Sequence, residues 1–224
     1  MVDDGHDVST PDGARALIET AVERHGRLDV LVANAGIMRW ADLPDVDEEN
    51  LDAHLAVHVG GSFHTARAAW PHFVEQGYGR IVLTTSTGLF GLRGNVSYAT
   101  AKGAVIGLMR ALAFAGRRHG ITANCIAPAA STRLAGEGGP DLPPPLVAPM
   151  VAYLAHEACP VTGEIYAAGG GRFARIFLAS TKGYVQDTAT IEDVAANWGT
   201  INDESGYDTP ADLNDWAVKF LEHL

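Results

Sequence analysis

DVLVANAG, residues 29–36, is a short apolar run that ends in turn residues. Val30, Leu31 and Val32 follow one another without the polar alternation of a half-solvated strand, and Asn34 and Gly36 close the segment. Such a run is what a parallel strand buried on both faces carries. The flanks agree. Upstream, Thr10 is placed to cap, Pro11 suits a first helical turn, and Ala14, Leu17, Ile18, Ala21 and Val22 recur at helical spacing until Gly26. Downstream, Asp45 with Glu48 has the pattern of a capping box. Leu51, Leu55, Val59, Phe63, Ala66 and Trp70 then continue in steps of three and four, which predicts one long amphipathic helix.

The alternation continues along the chain. RIVLTTS (80–86) reads as a strand, glycines 88, 91 and 94 mark a loop, and a helix is expected from about residue 97 to 118. ITANCIAP (121–128) is a further strand. EGGPDLPPP (137–145) has no usable periodicity and reads as a loop, a short helix is expected over 149–156, and GEIYAAGGG (163–171) is a last strand. Strands alternating with helices predict an α/β fold around a mostly parallel sheet. The tail differs in kind: FARIFLAST (173–181) suits a strand or extended arm, and Thr209, Pro210 and Asp212 open a final helix with Leu213, Trp216, Ala217 and Phe220. The expected organisation is one domain over 1–172 and a C-terminal extension over 173–224.

Composition narrows the function classes. Among 224 residues, 27 acidic against 16 basic side chains give a net charge of −11, with no basic run to neutralise a row of phosphates, so nucleic acid is not an expected partner. The acidic, polar N-terminus lacks the basic and apolar regions of a secretory signal, and no apolar run approaches a membrane span. Cys125 and Cys159 stand apart without a CxxC spacing, which fits a reduced compartment. A cytoplasmic protein acting on a small molecule is expected.

Tyr98 and Lys102, in NVSYATAKGAVIGL (95–108), lie four residues apart in a helical pattern and so share a face. A phenol is a poor proton donor or acceptor at neutral pH, and a neighbouring ammonium favours the phenolate. Lysine is then the tuner and tyrosine the acid/base. His54 and His58 form a second i, i+4 pair, but no third ligand follows at a metal-site spacing, so no metal is expected.

In order, NAG (34–36) after a strand, a hydroxyl-bearing strand end before Gly88, YxxxK, and NxIxP at Asn124, Ile126 and Pro128 resemble the short-chain dehydrogenase/reductase family. RIVLTTSTGLFG, SYATAKGAVIGL, TARAAWPHF and VAPMVAYLAHEAC followed by TGEIYAAGGG are similar to its (3R)-hydroxyacyl-CoA dehydrogenase branch. The resemblance covers most of residues 7–172. It implies a Rossmann-like doubly wound parallel sheet, NAD or NADP as cofactor, and a homo-oligomer, dimer or tetramer. By the same resemblance Tyr98 is the general acid/base and Lys102 the residue that tunes it and holds the nicotinamide ribose. Ser86, with Thr85 in reserve, is the hydroxyl that binds the substrate oxygen, and His58 stands at the family's fourth catalytic position. Asn34, Ala35, Gly36, Pro128, Ala129 and Thr132 are implied cofactor contacts, with Asp7 and Val8 matching the positions beside the adenine.

The resemblance also implies an N-terminally truncated sheet. No glycine-rich turn precedes the NAG motif, so the family's first two strands and helices are expected to be missing, with the acidic residue that would choose between NAD and NADP. Strand 29–34 then has an open edge. Between Thr132 and Val147 the substrate-covering segment is short. The expected activity is interconversion of a secondary alcohol and a ketone, a 3-hydroxyacyl thioester being the favoured substrate type. The alternatives are an inactive truncated relative acting as an oligomerisation partner and, last, a dehydratase or epimerase on the same scaffold.

Overall fold

The computed structural model describes residues 3–91, 93–132, 134 and 142–223. Much of the expected loop at 137–145 lies outside them. Helix α1 (Pro11–His25) starts where Thr10 accepts from the Gly13 amide and stops at Gly26, which takes the left-handed conformation. Strand β1 (Val30–Ala33) follows. The single helix expected from residue 45 onward is three segments. Its first, α2 (Glu48–His54), is capped by Asp47, not Asp45, because the Asp47 carboxylate accepts from the Asn50 amide. A π-helical turn (Leu55–Gly60) then widens the backbone before α3 (Gly61–Gln76). The Ser62 hydroxyl donates to the His58 carbonyl at 2.7 Å and occupies a group in that widened turn.

Strand β2 (Gly79–Thr84), helix α4 (Val96–Gly116), strand β3 (Ile121–Pro128), helix α5 (Ala148–Leu154) and strand β4 (Ile165–Gly169) complete the alternation. The sheet order is β1-β2-β3-β4-β5, with β1 to β4 parallel. Strand β5 (Arg172–Ile176) pairs antiparallel with β4 across a two-residue turn. Gly170 and Gly171 both have positive φ there, as mirror-image hairpin turns require. The first part of the expected arm is thus a sheet strand.

The sheet buries both faces, which is why β2 is buried along its length. Leu31, Ile81, Leu83, Ala123, Cys125 and Ile165 point to one side and pack with Ile18, Phe73, Val105 and Met109 of α1, α3 and α4. Val82, Ile126 and Ala168 point to the other, where Val147, Leu154 and Cys159 cover them. β1 is an edge strand: Val30 and Val32 are 36% and 42% exposed, on the thinly covered side.

The chain divides into two compact units, Met1–Ile176 and Phe177–Leu224. In the second, α6 (Ile191–Ala196) is closed by a reciprocal Thr190–Asp193 capping box, α7 (Trp198–Ile201) follows, and α8 (Leu213–Phe220) is capped by Asp212. Ser180 bridges Asp208, Phe177 stacks on Tyr207 and Trp216 on Phe220. No described residue of this unit is buried.

Candidate active site

The parallel strands end together, and a cleft of about 1060 Å³ opens beyond their C-terminal ends. The pleat decides which residues reach it. Along β2, Ile81, Leu83 and Thr85 share one direction, Val82, Thr84 and Ser86 the other. Thr85 is therefore buried against α4, where its hydroxyl donates to the Lys102 carbonyl at 2.7 Å. Ser86 lines the cleft, and its Oγ accepts from the Gly88 amide at 3.0 Å.

Tyr98 and Lys102 sit in the first two turns of α4 and both line the cleft. Tyr98 is 8% exposed; burial raises its pKa, with a smaller opposing pull from the Ser86 hydroxyl. The Lys102 ammonium lies 5.6 Å from the Tyr98 ring centroid and donates to the Thr84 carbonyl at 2.7 Å. Burial lowers the Lys102 pKa to about 8. The spacing alone predicts a phenol lowered by the lysine; in the structure burial raises it instead, and the opposing pull comes from the Ser86 hydroxyl. Two residues of a helix turn share a face, but the same face is inside the protein.

Thr84 ties the lysine to the strand beside it, its hydroxyl donating to the Asn34 Oδ1 at 3.0 Å. Asn34, Gly36, Pro128 and Thr132 line the cleft with Ser86, Tyr98 and Lys102. Ala35 and Ala129 adjoin these residues without lining it. Asp7 and Val8 are not at the cleft; the Asp7 carbonyl accepts from Thr10 at the start of α1, and Val8 packs under Gly61.

The two histidines have a shared structural use that their spacing did not disclose. Both are buried and stacked, with ring centroids 5.8 Å apart, and each stands edge-on to Tyr98. His54 Nδ1 donates to the Asn50 carbonyl at 2.7 Å and Nε2 accepts from the Arg39 amide at 3.2 Å. His58 Nε2 donates to the Ile37 carbonyl at 2.9 Å, and this tautomer leaves Nδ1 buried without a partner. Burial first, then the nearby Lys102 charge, lower the His58 pKa to about 4. Gly36 is needed beside it, since a Cβ there would stand 2.8 Å from His58 Cε1. The pair therefore braces the loop after β1 against the helix that carries both rings. Asn124, of the NxIxP motif, is also structural: its amide donates to the Val161 carbonyl and accepts from the Glu164 amide.

Met38, Trp40, Leu134, Val147 and Val151 give the cleft an apolar wall, and Asn95 adds a polar group; none of these was among the expected site residues. Asn95 precedes a helix and so reads as a cap in sequence. Among the described residues no group of three His, Cys, Asp or Glu is arranged to hold a metal, and no helix is long and apolar enough to cross a membrane.

The family model described as short chain dehydrogenase matches residues 5–137. A short-chain type dehydrogenase/reductase of Mycobacterium tuberculosis is 44% identical over 206 residues, covering 89% of this chain and 72% of the relative. The peroxisomal multifunctional enzyme type 2 of Drosophila melanogaster is 38% identical over 208 residues, which are 88% of this chain and 35% of the relative. The solved structure of that full-length Drosophila enzyme superposes with a TM-score of 0.85 at 32% identity, covering 100% of this chain and 40% of that one. The chain thus spans roughly a third of the length of the peroxisomal enzyme that it matches.

Proposed function

Because the chain belongs to the short-chain dehydrogenase family of oxidoreductases, we propose that its cleft interconverts a secondary alcohol and a ketone with NAD or NADP, a 3-hydroxyacyl thioester being the substrate class. The observation that carries this reading is the convergence of Tyr98, Lys102 and Ser86, from two different elements, on one cleft with an apolar wall. The resemblance of RIVLTTSTGLFG and SYATAKGAVIGL to the (3R)-hydroxyacyl-CoA dehydrogenase branch supports the acyl substrate.

The cleft fits the nicotinamide and its ribose. Lys102 offers a buried ammonium and Asn34, Thr132 and the backbone at Gly36 and Pro128 offer polar contacts around it. Among the described residues, Gly36 and Gly88 are the glycines of the cleft wall. The bound nicotinamide supplies or accepts the hydride. Tyr98 Oη gives the proton to the ketone oxygen in reduction and removes it from the alcohol in oxidation. Burial holds the phenol protonated at neutral pH, its form as an acid. The Ser86 hydroxyl donates to the same oxygen as negative charge develops on it. The Lys102 ammonium, fixed on the Thr84 carbonyl, favours the phenolate that remains. His58 stays neutral and holds the Ile37 carbonyl, so Lys102 is the positive charge next to the phenol.

A second reading, an assembly partner without turnover, draws on the exposed Val30 and Val32 of edge strand β1. Titrating the 224-residue chain with NADH and NADPH and following nicotinamide fluorescence separates the two. Saturable binding is expected; its absence at millimolar cofactor overturns the enzymatic reading and leaves the second.

A further inference from the structure

Three consecutive residues at the C-terminal end of β2 meet the helix that carries the acid/base. The Thr84 carbonyl accepts from the Lys102 ammonium at 2.7 Å, and the Thr85 hydroxyl donates to the Lys102 carbonyl at 2.7 Å. Ser86 stands beside Tyr98 in the cleft. One lysine is thus held at both ends, by its side-chain nitrogen and its backbone oxygen, from neighbouring residues of one strand.

Packing does not explain the Thr85 hydroxyl. The side chain is 0% exposed and shares its direction with the core residues Ile81 and Leu83, where valine would have the same shape without a hydroxyl to desolvate. The Lys102 carbonyl does not need it either, since a carbonyl inside a helix accepts from the amide four residues on. The bond is an addition, and it falls where α4 has little else to fix it. Val105, Ile106, Met109 and Ala113 pack the helix on the sheet beyond its first two turns. Asn95, before the first turn, makes no side-chain capping bond. Tyr98 and Lys102 lie in those two turns. The Thr85 backbone is itself pinned, its amide donating to the Ile126 carbonyl at 2.8 Å, so the tether runs from β3 through β2 to the lysine.

We infer that Thr85 is a positioning residue: from inside the core, away from the cleft, it sets the height of Lys102, and with it Tyr98, against Ser86. This rests on the oxidoreductase reading above and deepens it. A slide of the first two turns along the helix axis moves ammonium and phenol together relative to the Ser86 hydroxyl. A misplacement of about 1 Å among reacting groups costs on the order of 100-fold in rate.

The experiment compares wild type, Thr85→Val and Thr85→Ser in three ways. Steady-state kinetics follow reduction of the acetoacetyl thioester of N-acetylcysteamine with NADH and NADPH, thermal unfolding gives Tm, and NMR follows lysine labelled with 13C at Cε. Lys102, Lys182 and Lys219 are the lysines of the chain, and the last two are exposed, so the buried one gives a distinct signal. Thr85→Val should keep its Tm within about 4 °C of wild type. It should lose on the order of 10- to 100-fold in kcat with KM within about twofold, and its Lys102 signal should shift. Thr85→Ser keeps the donor, so it should return kcat to within about threefold of wild type and leave the Lys102 signal in place. Thr85→Ala is read in the same way should the valine variant not fold. Full kcat without the hydroxyl, an unmoved Lys102 signal, or a loss that serine does not restore overturns the role of Thr85 and leaves the oxidoreductase reading intact. A wild type without turnover overturns that reading and this one with it.

Discussion

Replacing Lys102 by methionine should abolish turnover and yet make the protein more stable at neutral pH. Lys102 is 3% exposed, and burial lowers its pKa from 10.5 to about 8. That lowering corresponds to roughly 3 kcal/mol against the charged form. Below pH 8 both the folded and unfolded chains carry the proton, and the folded protein bears that full penalty. Between pH 8 and 10.5 the folded state binds fewer protons than the unfolded one, so stability from this group rises with pH and the penalty disappears. Methionine keeps the stem and removes the charge, but it also removes the bond to the Thr84 carbonyl, a loss of about 1–1.5 kcal/mol. The net gain for Lys102→Met is about 1.5–2 kcal/mol at pH 7, a rise of some 3–7 °C in Tm for a chain of this size. By about pH 10 the gain should fall to zero or reverse. Thermal unfolding of both proteins at pH 7 and pH 10, followed by circular dichroism, measures the difference. A variant less stable than wild type at pH 7, or a gain that does not change with pH, would refute the reasoning.

Three further outcomes follow from named contacts. Ser86→Ala removes the cleft hydroxyl beside Tyr98 and should lower kcat on an acetoacetyl thioester on the order of 100-fold with KM little changed, as steady-state kinetics would read. His58, held neutral with a pKa of about 4 against 6.5 unfolded, binds fewer protons folded than unfolded between those values, so stability is lost as pH falls from 6.5 to 4. That loss is roughly 3 kcal/mol, and Asn in place of His58 should flatten the urea-midpoint profile over this range. Asn124→Ala orphans the Val161 carbonyl and the Glu164 amide and should destabilise the fold by about 2–4 kcal/mol in urea titrations without changing KM.

What sequence alone conveyed depended on how local the cause was. The helix-strand alternation and the shared face of Tyr98 and Lys102 follow from periodicities within one element. The choice between Ser86 and Thr85 does not, because β2 is apolar on both faces and its parity carries no polarity signal. The His54 and His58 partners are backbone groups of residues 50, 39 and 37, reached only when the loop after β1 folds back on α2. The π-helical turn inside a regular i, i+3, i+4 pattern left no trace in spacing either. Strand β5 was readable as extended, but its antiparallel pairing rests on the conformations of Gly170 and Gly171. Asn95 shows the limit most sharply: it stands at the cap position before α4, yet its side chain caps nothing and its Oδ1 is buried without a partner among the described residues.

The central claim is that Tyr98 moves a proton for a nicotinamide-dependent alcohol–ketone reaction in this cleft. The most direct measurement is the oxidation of NADH and NADPH at 340 nm by the purified 224-residue protein with the acetoacetyl thioester, wild type against Tyr98→Phe. Saturable turnover in wild type, reduced by at least 100-fold in a Tyr98→Phe variant of unchanged Tm, is the predicted result. A wild type without cofactor-dependent turnover, or a phenylalanine variant with the full rate, would contradict it.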